Sequence, residues 1–85
     1  MKCRVEWSDE AQNDLASIWL AAADRGDVTA RVADAETLLK TGAREASEEV
    51  AEGLRRLDVP PLFVYFVLDE STKSVEVYCA KWSGM

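Results

Sequence analysis

The chain has 85 residues, of which 48% are apolar, and carries a formal net charge of −6 at pH 7. A chain of this length buries only about 60% of the surface that its unfolded form exposes, so we expect one small domain, residues 1–85, with a thin core. The apolar fraction argues against disorder, and no run reaches the ~20 apolar residues that a membrane helix needs.

Residue types that are absent or rare exclude several kinds of site. The chain contains no histidine, which excludes catalytic sites built on imidazole and most zinc sites. Cys3 and Cys79 are too few for a disulfide framework and lack metal-ligand spacing, so we expect two reduced strand residues. The four glycines are scattered and form no phosphate-binding loop. We therefore expect no metal and no cofactor.

The charge distribution limits the partners that we expect. Residues 1–52 carry six Lys/Arg and twelve Asp/Glu, whereas residues 53–85 carry four of each. Proteins bind nucleic acids through basic surfaces, so only a local basic patch of this acidic chain could bind one. The N-terminal residues lack the apolar segment of a signal peptide, and we expect a cytoplasmic protein without membrane contact.

The first predicted elements are a strand and a helix. Cys3–Trp7 alternates apolar and polar residues, which is typical of a half-buried strand. Ser8 is a favourable N-cap, followed by two acidic residues that suit the first helical turn. Apolar residues then recur at helical spacing and are interpreted as core: Ala11, Leu15, Ile18, Trp19 and Ala22.

A second helix follows after a short link. Gly26 suits a left-handed position after the first helix, and Asp27 suits the next N-cap. A second apolar stripe ends before Gly42, and two helices so closely linked predict an antiparallel hairpin. The stripe contains Val28, Val32, Ala35, Leu38 and Leu39. Residues 43–52 are polar and acidic, which leaves a short third helix or an exposed connection.

The remaining chain has the period of strands. Residues 54–59 are predicted to form a strand, which ends at Pro60-Pro61. Residues 62–68 have the strongest strand pattern of the chain, and residues 74–81 form the last predicted strand. Helices first and clustered strands afterwards favour an α+β fold. We predict the order β-α-α-β-β-β, with the helical hairpin packed on one face of a twisted antiparallel sheet.

Strand alternation assigns side chains to the two faces of that sheet. Those expected to meet the helices are Val5, Leu57, Val59, Val64, Phe66, Val75 and Val77. Those expected on the other face are Arg56, Asp58, Phe63, Tyr65, Val67, Glu76, Tyr78 and, at its end, Trp82. The second face is unusually aromatic, and exposed apolar surface of this kind marks a contact surface.

Three short patterns occur in order along the chain. They are Val5-Glu6-Trp7-Ser8 with Ala11, Leu15, Ile18 and Trp19, then Gly53-Leu54-Arg55-Arg56-Leu57, then Pro61-Leu62-Phe63-Val64-Tyr65-Phe66-Val67-Leu68-Asp69. Together they resemble the RelE/ParE toxin superfamily. The resemblance spans Val5 to Lys81, and the family's fold agrees with the one predicted above. It implies RelE-type cleavage of messenger RNA in the ribosomal A site or ParE-type poisoning of DNA gyrase. It also implies neutralisation by a cognate antitoxin.

The family's ribonuclease residues are poorly matched. Cleavage needs a group that activates the 2′-hydroxyl, a proton donor, and cations that stabilise the phosphorane. Arg56, with Arg55 as a weaker match, corresponds to the basic positions of the second family strand, but Phe63 stands where the family has an arginine. Tyr65 and Lys81 are the other weak catalytic candidates. Adjacent strand residues face opposite ways, so we assign Arg56 to the functional face and Arg55 to a helix carboxylate.

The sequence therefore predicts a divergent toxin-family protein that acts by protein–protein contact, with ribonuclease chemistry lost. The expected partner-binding residues are Arg56, Phe63, Tyr65, Tyr78 and Trp82. The expected partner is an antitoxin, with the ribosome or gyrase as target and a homodimer as a further option. Two alternatives stay open: an active ribosome-dependent ribonuclease, and a stand-alone, non-toxic binding module.

Overall fold

The computed structural model describes residues 2–83, which form two helices and five strands. In chain order the elements are β1 (Arg4–Trp7), α1 (Asp9–Ala21), α2 (Arg25–Ala46), β2 (Ser47–Ala51), β3 (Leu54–Val59), β4 (Leu62–Asp69) and β5 (Ser74–Trp82). The strands make one sheet in the order β1-β5-β4-β3-β2. Both helices pack on the same face of this sheet, which confirms the predicted α+β class.

The sheet contains one strand and one pairing that the sequence did not specify. β2 is a fifth strand at one edge, and β1 at the other edge runs parallel to β5. All other neighbouring strands are antiparallel. The sheet is therefore mixed. The chain passes through both helices and through β2, β3 and β4 before β5 pairs in parallel with β1.

Residues 43–46 are a short helical segment beyond a kink at Gly42, in partial agreement with the predicted third helix, whereas residues 47–51 form a strand that neither alternative included. α2 continues past Gly42, whose backbone leaves helical geometry at φ −162° and ψ 50°, and ends at Ala46. β2 follows at once and pairs with β3, with Glu48 and Glu49 opposite Arg56 and Arg55. Opposite charges across the strands favour this pairing. Gly53 takes the left-handed conformation (φ +78°) that the tight β2–β3 turn requires.

The caps of the two helices decide where each begins. Ser8 caps α1 as predicted, and its Oγ accepts a hydrogen bond from the Ala11 amide at 3.1 Å. The prediction for α2 was wrong: Asp24 is the N-cap, and its Oδ1 accepts from the Asp27 amide at 3.1 Å. Because Asp24 caps the helix, Asp27 lies in the first turn, and Gly26 is helical rather than left-handed.

The core lies between the sheet and the helices. Six strand residues are fully buried, and all but Leu62 were assigned to the helix-facing side from the sequence: Leu57, Leu62, Val64, Phe66, Val75 and Val77. From the helices, Ala11, Ile18, Val28, Ala35, Leu39 and Ala43 complete it. Two predicted core residues are exposed instead: Trp19 is 42% exposed and Leu38 is 38% exposed. Trp19 lines a surface groove between the two helices, and Leu38 lines another beside the end of β3.

A bulge in β5 changes which side chains face the helices near its end. Tyr65 pairs with Cys79 and Phe66 pairs with Val77, so Tyr78 is an extra residue in β5. Ala80 and Trp82 therefore pair with Val64 and Leu62 and share their face. The prediction that Trp82 lies on the open side of the sheet was wrong, because strict alternation does not allow for the bulge. Trp82 is half-buried and packs against the core.

The two cysteines lie far from each other although their strands are neighbours. Cys3 precedes β1 at the end that faces Ser74, whereas Cys79 lies beyond the position that pairs with Trp7. Both are free thiols. Among residues 2–83, no helix is long and apolar enough to cross a membrane.

Candidate interaction surface on the open sheet face

The face of the sheet opposite the helices, called the open face here, carries two rows of side chains across the strands. Register places Glu48, Arg56, Tyr65 and Cys79 in one row. It places Asp58, Phe63 and Lys81 in the next. Tyr78, the bulge residue, adds a third aromatic side chain beside the first row and is 44% exposed. All predicted site residues except Trp82 are therefore brought together on this face.

Arg56 is held by two carboxylates of the same face. Its Nε donates to Asp58 Oδ1 at 2.7 Å, and its Nη2 donates to Glu48 Oε1 at 2.9 Å and to Asp58 Oδ2 at 3.2 Å. The hydrogen bond with Asp58 raises the pKa of Arg56 above its ordinary value, and Tyr65 and Glu48 contribute further. The side chain stays 31% exposed, but its charge is satisfied within the chain.

Aromatic side chains surround this ion cluster. The Arg56 guanidinium carbon lies 5.9 Å from the centre of the Phe63 ring, within the range of a cation–π contact. Tyr65, directly across from Arg56, is half-buried between its neighbours. Phe63, Tyr65 and Tyr78 together form an apolar platform of the kind that anchors protein contacts.

Lys81 has a different environment from Arg56. It is exposed and lies across from Phe63. Within residues 2–83 it makes no ion pair. It is therefore the open-face cation that is available to a ligand.

The titratable groups around Arg56 are held in ion pairs or partly buried. The two carboxylates near Arg56 are engaged by that arginine, and the chain has no histidine. Partial burial raises the pKa of the Cys79 thiol, so it is a poor nucleophile at neutral pH. Within the described chain, no group of three His, Cys, Asp or Glu residues is placed to hold a metal ion.

Arg55 lies on the helix side of the sheet, as predicted, but its partners differ from the expected helix carboxylate. Its side chain donates to Ser47 Oγ at 2.8 Å, to the Ser47 carbonyl at 3.0 Å and to the Arg44 carbonyl at 3.2 Å. The nearest carboxylate is Glu49 of β2, at 3.9 Å. Arg55 therefore satisfies carbonyl groups at the end of α2 rather than lining the open face.

Glu48 is the residue of this surface that sequence reasoning missed. It lies in the segment predicted as a helix or a connection, so its pairing with Arg56 was not foreseen. The Glu-Glu sequence before Gly53 and the Arg-Arg sequence after it could have indicated a charged hairpin.

A second apolar surface lies on the opposite side of the molecule, in a groove between the two helices. It is lined from α1 by Leu15, Ala16, Trp19 and Leu20, and from α2 by Val28, Thr29 and Val32. Leu20 is 66% exposed, and Arg25 stacks on Trp19 with its guanidinium carbon 4.5 Å from the ring centre. The sequence predicted Trp19 as core and therefore missed this groove.

Among known proteins, the chain is similar to solved structures but not to any protein-family model or curated sequence. A chain of the RelBE2 toxin–antitoxin complex from Mycobacterium tuberculosis superposes with a TM-score of 0.81 at 13% identity, covering 96% of this chain and 99% of that one.

Two further solved structures agree with that match. A chain of the ParDE system of P. aeruginosa gives a TM-score of 0.69 at 14% identity, covering 95% of this chain and 96% of that one. A chain of the archaeal RelE–RelB complex from Pyrococcus horikoshii gives 0.70 at 15% identity, covering 99% and 98%. Such low identities establish the fold and not the activity. The chain has the fold of the RelE/ParE toxins.

Proposed function

We propose that this chain is a divergent toxin-family protein that acts by protein–protein contact through its open face, and that it lacks ribonuclease chemistry. The partner is an antitoxin-type protein, with or without a further cellular target. The single observation that carries this proposal is the state of Arg56. The arginine that matches the family's basic position is paired with Glu48 and Asp58 and surrounded by aromatic side chains.

The aromatic platform supports the protein-binding part of the proposal. Interface energy concentrates in a few aromatic and arginine side chains near the centre of a contact. Phe63, Tyr65 and Tyr78 provide such anchors on a face that no helix of this chain covers. The similar structures from M. tuberculosis and P. horikoshii are complexes with a second protein, which supports an antitoxin as partner.

The chemistry of the face speaks against ribonuclease activity. A phosphorane needs cations that are free to approach it, and a 2′-hydroxyl needs a base. Arg56 is neutralised, Phe63 occupies a position where the family has an arginine, and Lys81 is left as the available cation. Tyr65 could donate a proton, but the two carboxylates beside Arg56, Glu48 and Asp58, are already engaged by that arginine.

A growth experiment tests this proposal. The wild-type chain is produced from a tightly controlled promoter in a bacterial host, beside the Phe63→Ala/Tyr78→Ala and Arg56→Ala variants. We expect wild-type growth arrest without cleavage of messenger RNA, and relief of that arrest by Phe63→Ala/Tyr78→Ala. Glu76→Gln, on the same face but not one of the platform residues, is the matched control and should still arrest growth.

Two outcomes would contradict the proposal. Cleaved messenger RNA that disappears in the Arg56→Ala or a Tyr65→Phe variant would establish the ribonuclease alternative. Normal growth with folded wild-type protein would exclude toxicity in that host and favour the stand-alone binding module. Circular dichroism of each purified variant shows whether an effect comes from the surface or from loss of fold.

A further inference from the structure

The open face has the composition of a surface for single-stranded nucleic acid. Single strands bind where aromatic side chains stack on bases and cations contact phosphates, and an open β-sheet is a common support for such side chains. Arg56 and Lys81 are interleaved here with Phe63, Tyr65 and Tyr78. Judged by these five residues alone, the face would bind phosphate-bearing strands.

We propose that Glu48 and Asp58 are specificity-determining residues that exclude such strands: they occupy Arg56 as built-in counter-anions and leave the platform to a protein partner. This inference rests on the proposed function, because it concerns the same face. It adds that the side chains of Glu48 and Asp58 determine which class of ligand the open face binds.

The hydrogen bonds occupy the part of Arg56 that a phosphate would use. A guanidinium binds an oxyanion in a bidentate manner through parallel N–H groups, for example those of Nε and Nη2. In this chain Asp58 accepts from both of these nitrogens, and Glu48 accepts from Nη2 as well. A phosphate would therefore have to displace a carboxylate before it could bind Nε and Nη2 in this bidentate manner.

The two carboxylates are fixed in place by the sheet. Asp58 is two residues from Arg56 on β3, which puts both side chains on the same face at neighbouring positions. Glu48 lies directly across from Arg56 on β2. Their two negative charges balance the positive charges of Arg56 and Lys81, so this region has no net attraction for a polyanion.

The experiment removes the counter-anions and keeps their shape. The variant is Glu48→Gln/Asp58→Asn, and the probe is a fluorescently labelled single-stranded oligoribonucleotide of about ten nucleotides, within the usual site size of single-strand-binding folds. The matched control, Glu36→Gln/Glu76→Gln, also removes two negative charges, but neither of these carboxylates forms an ion pair with a described arginine. Binding is measured by fluorescence anisotropy at low salt and at physiological salt.

We expect the Glu48→Gln/Asp58→Asn variant to bind the oligoribonucleotide at least about tenfold more tightly at low salt than the wild type and the control, because one additional charge-assisted hydrogen bond has an effect of this size. The increase in affinity should fall as salt rises. Adding Arg56→Ala to the same variant should abolish it. If the double variant does not fold, Glu48→Gln alone removes one of the two counter-charges and should give a smaller increase in the same direction.

Three results would overturn the inference. They are no tightening in any folded variant, equal tightening in the matched control, and an increase in affinity that survives Arg56→Ala. None of them concerns growth arrest, so the inference can fail while the proposed function stands. Conversely, tighter binding together with normal growth would contradict the proposed function alone.

Discussion

At the scale of residues, two adjacent arginines have unrelated environments because a strand turns them to opposite faces. Arg55 points toward the helices, is only 16% exposed and donates to two carbonyls and a hydroxyl at the α2–β2 junction. Arg56 points to the open face and pairs with carboxylates of the surface. The first is a structural residue, and the second belongs to the candidate interaction surface.

We expect Arg55→Met to lower the free energy of unfolding by about 2 kcal/mol, because the variant leaves partly buried oxygen atoms at the α2–β2 junction without their donor. Arg56→Met is the matched control and should cause a clearly smaller change, since its carboxylate partners can turn to water. Urea denaturation of both variants measures the difference. Equal losses of stability would show that Arg55 has no special structural role.

At the scale of elements, the β5 bulge is stabilised by groups outside the sheet. The Ser8 hydroxyl donates to the Tyr78 carbonyl at 3.1 Å, and the Ala80 amide donates to Asp14 Oδ2 of α1 at 3.0 Å. Backbone groups that the bulge removes from regular pairing therefore find partners on the N-cap and on the helix. The bulge places Tyr78 on the open face and turns Trp82 away from it.

We expect Asp14→Ala to destabilise the chain by about 1–2 kcal/mol, because the part-buried Ala80 amide loses its acceptor. Asp14→Asn keeps an acceptor oxygen at the same place and should recover most of that loss. Thermal unfolding gives the stabilities, and amide hydrogen exchange at Ala80 reports the local bond. Identical behaviour of the two variants would argue that the Asp14 contact contributes nothing to the bulge.

A second contact between elements joins the end of α2 to the β4–β5 turn. Arg44 forms an ion pair with Glu70, and its hydrogen bond and charge lower the pKa of that carboxyl. A carboxyl whose pKa is lowered in the folded state stabilises the fold above its unfolded pKa. That stabilisation is lost as the pH falls through the lower folded value.

We therefore expect the wild type to melt at a higher temperature than Glu70→Gln at neutral pH. The difference should begin to shrink near the ordinary pKa of 4.5 and vanish at more acidic pH. Melting curves across this range measure it. Arg44→Ala is the control background, in which Glu70→Gln should change little at any pH. A difference that stays constant below pH 4.5 would contradict the assignment.

At the scale of the whole molecule, charge is divided between the layers. The helical segment, residues 9–46, carries eight Asp/Glu and four Lys/Arg. The open face combines three cations with four carboxylates: Arg4, Arg56 and Lys81 with Glu6, Glu48, Asp58 and Glu76. The helical layer therefore repels polyanions, and the open face is close to neutral. Contact with a protein suits both layers better than contact with a nucleic-acid backbone does.

The two exposed apolar surfaces lie on opposite sides of the molecule. One is the aromatic platform of the open face, and the other is the groove that contains Trp19 and Leu20. Large apolar side chains that remain exposed in a small protein usually mark contact surfaces. The groove lies outside the residues that the sequence assigned to a partner, and the proposed function depends only on the open face.

Local patterns in the sequence were sufficient to predict the α+β class, the helical hairpin and the inward faces of β3 and β4. These features follow from local periodicity: apolar residues every second position specify a strand face, and helical spacing specifies a helix face. The same alternation separated Arg55 from Arg56 correctly. Phe63, Tyr65 and Tyr78 were assigned to the open face for the same reason.

Four features depend instead on the three-dimensional fold: the formation of β2, the parallel β1–β5 pair, the position of Trp82 and the ion pairs of Arg56. β2 has a weak strand pattern and forms because β3 offers it a partner with opposite charges. The β5 bulge depends on Ser8 and Asp14, more than sixty residues away in the chain. Glu48 reaches Arg56 only after that hairpin has formed. Each of these features depends on contacts between segments, which local periodicity does not encode.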